Sequence, residues 1–362
     1  MTDLGRRTFI RTSLATAALL SPLGLAACGS SGTSKTQSVS SDAVLTADEL
    51  ESKAKAEGGT LVYYTVSQEL LDDQSAAFRK LYPWVNFKAE VNNGSRTITK
   101  VIEEARAKAA TADVFIGSSA TVPSSIRSQV ALLMSLPNDS LVPTTYADTT
   151  KYGHPTYLQL NPAAYNTNLV KSAPTDIYEY AGPTWKGKLA IDYPQDLGAG
   201  YFFLSCRRKA WGEDKWMTWL NGLKANDVFL VDSASSAYQA VLSGERSVAA
   251  VSDDDVLSQK AGTPVAASYF DGMPYEVWNM YIAKGAEHPY TAALFINWVM
   301  SKAGQENMAS SGRSPVLDID VPIAVSNIVP ATTTLATASE INDLINNTED
   351  YLSVYNKLWP LA

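Results

Sequence analysis

Residues 157–188 read YLQLNPAAYNTNLVKSAPTDIYEYAGPTWKGK, a stretch with the marks of a chain leaving one lobe and entering another. Residues 157–160 are strand-forming types, and Asn161-Pro162 ends the run. Tyr165-Asn166-Thr167-Asn168 is rich in turn and capping residues. Pro174 and Pro183 then punctuate a polar connector, and Trp185-Lys186-Gly187-Lys188 closes it ahead of a new apolar strand at 189–191.

Length agrees with a crossover, since 362 residues exceed what one hydrophobic core usually holds. On the N-terminal side, a helix capped at Thr46 runs to Ala56 and ends at Gly58-Gly59. Strand patterns at 60–65 (TLVYYT), 84–91 (WVNFKAEV) and 112–116 (ADVFI) alternate with helical spacing at 69–81 and 96–110. That order implies a parallel α/β sheet. On the C-terminal side a second series follows: strands at 189–192, 228–232 and 248–251, with helices at 201–211, 214–223 and 237–242. A strand at 264–270 and the run EVWNMYIA at 276–283 take the chain back to the first lobe. Residues 290–303 are amphipathic, and a helix at 340–358, interrupted near Asn347, is expected to pack against the lobes.

Several of these phrases resemble the type II extracellular solute-binding proteins of ABC importers, in the branch that carries ferric iron, phosphonates, polyamines and thiamine. The resemblance rests on YNT, then proline, then WKGK; on TLVYYT, AAFRKLYPWVNF and ADVFI; on the Gly244-Glu245 turn; on EVWNMYIA; and on the S-x-x-G-Q and G-R-x-P-V patterns at 301–305 and 312–316. It covers roughly 58–316. It implies an α/β, two-lobed type II periplasmic-binding-protein fold with two crossover strands as hinge. Residues 45–158 and 277–362 would form lobe 1, and 159–276 lobe 2. The implied function is capture of a small polar solute and delivery to an ABC permease with its ATPase subunit, with no cofactor and no enzymatic activity, by a monomer.

In open α/β sheets ligands sit beyond the carboxyl ends of the strands. This nominates Ser67 and Gln68 after the first strand and Ser118 and Ser119 after the third. In the second lobe, helix starts at Gly198 and Ser235 would offer free backbone N–H groups to an anionic group, with Gly200, Tyr201, Ser235 and Ser236 as contacts. Asp253, in the run Asp253-Asp254-Asp255, either caps a helix or meets a ligand ammonium. Trp278, with Tyr64, Tyr201 and Tyr275, is a candidate aromatic wall. Together these suit a zwitterion or anion such as an aminoalkylphosphonate; a polyamine, thiamine or a ferric complex is the alternative. Ferric-binding relatives bring histidine, glutamate and paired tyrosines where this chain has Ser67-Gln68, Ser118-Ser119 and Asp253-Asp254, so bare iron(III), and a metal site generally, is not expected.

Gly5-Arg6-Arg7-Thr8-Phe9 resembles a twin-arginine export signal, and Leu25-Ala26-Ala27-Cys28 a lipobox. The expectation is an export signal over 1–27, lipidation at Cys28, and a Gly/Ser/Thr tether over 28–44 that anchors an extracytoplasmic body to the membrane. With Cys28 lipidated, Cys206 has no cysteine partner, and its apolar neighbours imply a buried thiol. A net charge of -8 argues against a nucleic-acid partner. The chain has two histidines, at 154 and 288, and no nucleophile elbow or zinc-protease motif. A secreted hydrolase working with carboxylates alone is the other functional class, because paired acids leave no spacing signature.

Overall fold

The computed structural model describes residues 44–361 apart from 93 and 110. The readings on Arg6, Arg7, Cys28 and the tether as far as residue 43 lie outside the described residues.

The first strand–helix series builds a six-stranded sheet. Its strands are β1 (Thr60–Thr65), β2 (Asn86–Val91), β3 (Val114–Ser118) and β4 (His154–Leu160). Further along the chain, β5 (Ala163–Asn166), β6 (Leu189–Asp192), β7 (Phe229–Val231), β8 (Val248–Ala250) and β9 (Val265–Ser268) form a five-stranded second sheet. Strands β10 (Tyr275–Ile282) and β11 (Ser314–Pro315) return to the first, whose order is β11-β4-β10-β3-β1-β2. The second has the order β7-β6-β8-β5-β9. β1 runs parallel to β2 and β3, whereas β10 runs antiparallel to β3 and β4. The parallel expectation drawn from the strand–helix units holds for them, and the returning strand, on which it did not bear, is antiparallel to both its neighbours. That strand enters from the other lobe and has no crossover helix to reverse it.

Local chemistry sets the helix ends. Thr46 and Glu49 form a reciprocal capping box on helix Ala47–Ala56. The amphipathic run at 290–303 is two helices, because helix Pro289–Val299 stops and the Ser301 hydroxyl, accepting from the Gly304 N–H at 3.2 Å, starts Lys302–Ser310. Helix Pro289–Val299 is buried along its whole length. Phe295 meets Tyr63, Phe78 and Phe87 edge to face, each such side chain contributing about 1.5–3 kcal/mol by burial.

The chain passes between the sheets at Asn161-Pro162, and again between β9 and β10. A third passage was not foreseen. After β11 the chain leaves the first sheet, residues 334–336 hydrogen-bond to residues 272–273, and helices Ala338–Asn346 and Thr348–Leu358 settle on the second lobe. There the Tyr201 hydroxyl donates to the Leu344 carbonyl at 2.6 Å, Ser205 meets the Tyr355 hydroxyl at 2.5 Å, and Trp216 packs edge-on against Tyr351. Assignment of everything after residue 277 to the first lobe thus fails for these helices. They cover an aromatic face that the second lobe leaves uncovered on that side.

Candidate functional site

Strand alternation places Glu276 and Trp278 on one face of β10, opposite Gln159 and Tyr157 of β4. Trp278 stacks on Tyr157, with centroids 5.5 Å apart and rings 8° from parallel. The Gln159 amide donates to the Ser252 hydroxyl at 3.0 Å and to the Glu276 carboxyl at 3.3 Å, so this face of the hinge ribbon looks onto the second lobe. Ser118, the last residue of β3, pairs with Trp278 in register and is fully buried.

From the second lobe come Asp192, at the end of β6, and the start of the short helix Asp253–Leu257. Asp192 approaches the loop before helix Ala199–Ser205 so closely that it accepts the Gly200 N–H at 2.6 Å. A Cβ added at Gly198 would lie 2.1 Å from the Asp192 carboxylate, and one at Gly200 2.3 Å from its carbonyl oxygen. Backbone approach requires glycine at 200, whereas at 198 the atom met belongs to the Asp192 side chain. This helix start consequently carries its own anion, and the expectation that Gly200 offers a free donor there is corrected.

The three successive aspartates do three different things. Asp253, 1% exposed, accepts from the Leu160 N–H at 3.0 Å and the Ser314 hydroxyl at 3.3 Å, tying both hinge-side strands to the second lobe. Burial, then the neighbouring Asp254, pushes its pKa well up. It does not cap its own helix, and both of its oxygens already have donors within the protein. Asp254 pairs with the Arg313 guanidinium at 3.2 Å, and Arg313 also donates to the Ser311 carbonyl at 2.9 Å. Asp255 accepts from the Ser235 hydroxyl at 3.0 Å, and burial together with Asp254 raises its pKa. Glu276, 6% exposed, is pushed up to about 7, first by burial and then by Asp192 and Asp254, with the Ser118 hydroxyl pulling the other way.

The other nominated residues divide. Ser118, Trp278 and Ser235 belong to this junction. Ser119 donates from its hydroxyl to the Val277 carbonyl at 3.2 Å. Ser67 caps helix Gln68–Leu81 through the Leu70 N–H at 3.3 Å, and Gln68 donates to Asp72. Ser236 is engaged by Ser233, whose hydroxyl accepts its N–H at 3.1 Å, so the second helix start is also self-capped. Tyr201 is core beneath the C-terminal helices. Tyr64 is buried in a separate cluster with Phe115 and Tyr281, bonded to Glu104 and Thr111, and Tyr275 packs edge-on against Tyr146. Sequence reading missed Glu276, Asp192, Gln159 and Arg313, and within the run 253–255 it picked Asp253 rather than Asp255. The available signal was a lone carboxylate inside the apolar run YEVWNMYI and another closing LAID.

Among the described residues no group of three or more His, Cys, Asp or Glu could hold a metal ion, and no helix is long and apolar enough to cross a membrane. A surface pocket lined by Arg208, Lys209, Glu213, Asp343, Asn347 and Asp350 lies away from the junction. Its charges are largely spent internally: Arg208 pairs with Glu213 at 2.6 Å, and Asp343 accepts from Tyr351 and Asn347.

Known proteins share this architecture. The crystal structure of iron-bound HitA from Pseudomonas aeruginosa superposes with a TM-score of 0.69 at 20% identity, over 83% of this chain and 99% of that one. A periplasmic thiamin binding protein gives 0.69 at 17% identity, over 83% and 96%. AfuA from Actinobacillus pleuropneumoniae, with fructose-6-phosphate bound, gives 0.67 at 22% identity, over 82% and 99%. These likenesses establish the fold. A Haemophilus influenzae protein described as uncharacterized is 26% identical over 274 residues, 72% of this chain and 78% of that one. The bacterial extracellular solute-binding protein model matches residues 58–306. With two sheets joined through a polar hinge and most of its length matched, this chain belongs to the bacterial extracellular solute-binding proteins, which capture a small molecule outside the cytoplasm for an ABC importer.

Proposed function

We propose that the solute is an organic cation, of the polyamine or thiamine kind, held between the lobes without chemical change. One observation carries this reading. Glu276 is a buried carboxyl on the interlobe face with no ion pair among the described residues, while Arg313, the cation at the neighbouring Asp254, is already committed to that carboxylate and to a backbone carbonyl. Buried carboxyls without a cation are costly, and a solute ammonium or heterocyclic cation offsets that cost. The stacked Trp278–Tyr157 pair supplies an apolar, cation-attracting surface beside them, and the Trp278 indole N–H has no partner of its own. An acidic solute such as an aminoalkylphosphonate is poorly served. The helix starts that would have held its anionic end are filled by Asp192 and by Ser233.

The test is native mass spectrometry of the freshly purified protein, followed by a thermal-shift panel of spermidine, thiamine, 2-aminoethylphosphonate, fructose 6-phosphate and a ferric complex. Stabilisation by spermidine or thiamine is the expected result. Stabilisation confined to the phosphorylated compounds or the ferric complex would overturn the cation reading, and turnover of any compound would overturn binding without chemistry.

The N-terminal residues support a lipoprotein: an exported chain cut before Cys28, acylated there, and tethered outside the cytoplasmic membrane as a monomer beside its permease. Intact mass of membrane-extracted protein should show an acylated Cys28 terminus, and Lys replacing both Arg6 and Arg7 should block export. A soluble product that retains Met1 would exclude the anchor.

A further inference from the structure

We propose that Glu276 reads the charge of the solute: it meets the solute's cationic group and gives up its own proton to solvent as that group arrives. The inference rests on the reading of the solute as an organic cation.

The surroundings of Glu276 make the argument. Ser118 faces it from β3, Gln159 from β4, Asp192 from β6 and Asp254 from helix Asp253–Leu257. None of these is a cation. Arg313 reaches Asp254 but is held there by that carboxylate and the Ser311 carbonyl. A neutral carboxyl suits this environment, because Glu276 is almost wholly removed from water and accepts from the uncharged Gln159 amide. Its position, on the same strand face as Trp278 and opposite Gln159, puts it at the floor between the lobes.

An independent observation points to a ligand at the same place. Asn161 is 0% exposed, yet neither its amide nitrogen nor its oxygen has a hydrogen-bond partner. It follows β4 directly and lies two residues on from Gln159, so strand alternation sets it on Gln159's side. Buried carboxamides are normally bonded. A solute N–H group lying along this face satisfies the Asn161 oxygen and presents its charge to Glu276. The pKa of about 7 at Glu276 agrees with this role. In the exchange the carboxyl O–H bond breaks, its electron pair stays on oxygen, the proton passes to water, and nothing is oxidised or reduced.

The experiment is titration calorimetry of the whole mature protein with spermidine and with thiamine. It is run near pH 6.5 in two buffers of different ionisation enthalpy, alongside Glu276→Gln. The wild type should release about 0.5 to 1 proton per solute bound, and its affinity should rise by up to about tenfold per pH unit below pH 7 and level off above. Glu276→Gln should release none, bind with flat pH dependence, and be about tenfold weaker than wild type near pH 8. If a cation binds without buffer-dependent heat, or Glu276→Gln keeps the release, the proposal is overturned while the cation reading stands. If no cation of the panel binds, both fall together. The wild-type two-buffer measurement decides the matter by itself should the variant not fold, and Glu276→Asp provides a variant that keeps the titratable group.

Discussion

Asp253 and Glu276 are both buried carboxyls at the lobe junction, and they differ in what their oxygens already do. Both Asp253 oxygens have donors within the protein, Leu160 N–H and Ser314 hydroxyl. Asp253→Ala should cost about 1–3 kcal/mol by leaving the Leu160 N–H unpaired, while affinity of the folded protein for a cation changes less than about threefold. Melting by circular dichroism and calorimetric binding on the same samples separate the two effects. A large affinity loss at unchanged melting would return Asp253 to the binding face. Glu276 makes the opposite prediction, in pH. Its pKa is raised on folding from the ordinary 4.5 to about 7, so the folded state holds a proton that the unfolded state has lost. Its contribution is fully present below about pH 4.5 and declines as pH rises to 7, by about 3 kcal/mol in all for so buried a group. The stability of Glu276→Gln relative to wild type should therefore grow across that window. A difference constant with pH would contradict the raised pKa.

At the scale of the element, the second lobe depends on segments remote in sequence. Helix Thr348–Leu358 brings Tyr351 and Tyr355, both fully buried, against Trp216 and Tyr201. Removing Tyr355 opens a cavity and strips the Ser205 hydroxyl of its partner. Tyr355→Ala should thus cost about 3–5 kcal/mol. Hydrogen exchange should quicken in 199–225, which this helix covers, before it does in 289–299, the core of the first lobe; uniform loosening would argue against a lobe-specific clasp. Helix Ala199–Ser205 has a further constraint at its start. Gly200→Ala places a methyl 2.3 Å from the Asp192 carbonyl, a backbone atom with little room to yield, and the soluble yield of that variant should collapse.

For the whole molecule the question is how freely the lobes turn. Two strand crossings, the C-terminal passage and the Arg313–Asp254 and Ser314–Asp253 contacts all join them. Arg313→Ala removes a partly buried ion pair worth about 2 kcal/mol, and should widen the distribution of lobe angles. Small-angle scattering should then give a larger radius for the variant alone and a common, smaller radius for variant and wild type with saturating cation. Equal radii in all four samples would mean the junction does not move.

What the sequence by itself determined is the set of features written in neighbouring residues. The strand–helix periodicity, the cap at Thr46, the turn at Asn161-Pro162 and the return strand 276–283 are all local, because propensity and alternation act over a few residues. The family phrases added the order of the lobes. The helix break at Ser301 and the fate of residues 338–358 were not legible, since a capping serine competes with a continuing apolar stripe and a helix's partner is not encoded in its own spacing. The site was decided almost entirely by tertiary structure. Ser67, Gln68, Ser118, Gly200 and Ser236 were all placed correctly at strand ends or helix starts, yet most of their hydrogen-bonding capacity is spent within the protein. Glu276, Asp192 and Asp255 come from three separate segments, and they converge because β4 pairs with β10 while β6 and β8 lie side by side in the other lobe. A carboxylate's charge state depends on what else has been buried near it, and that is a property of the folded packing rather than of any run of residues.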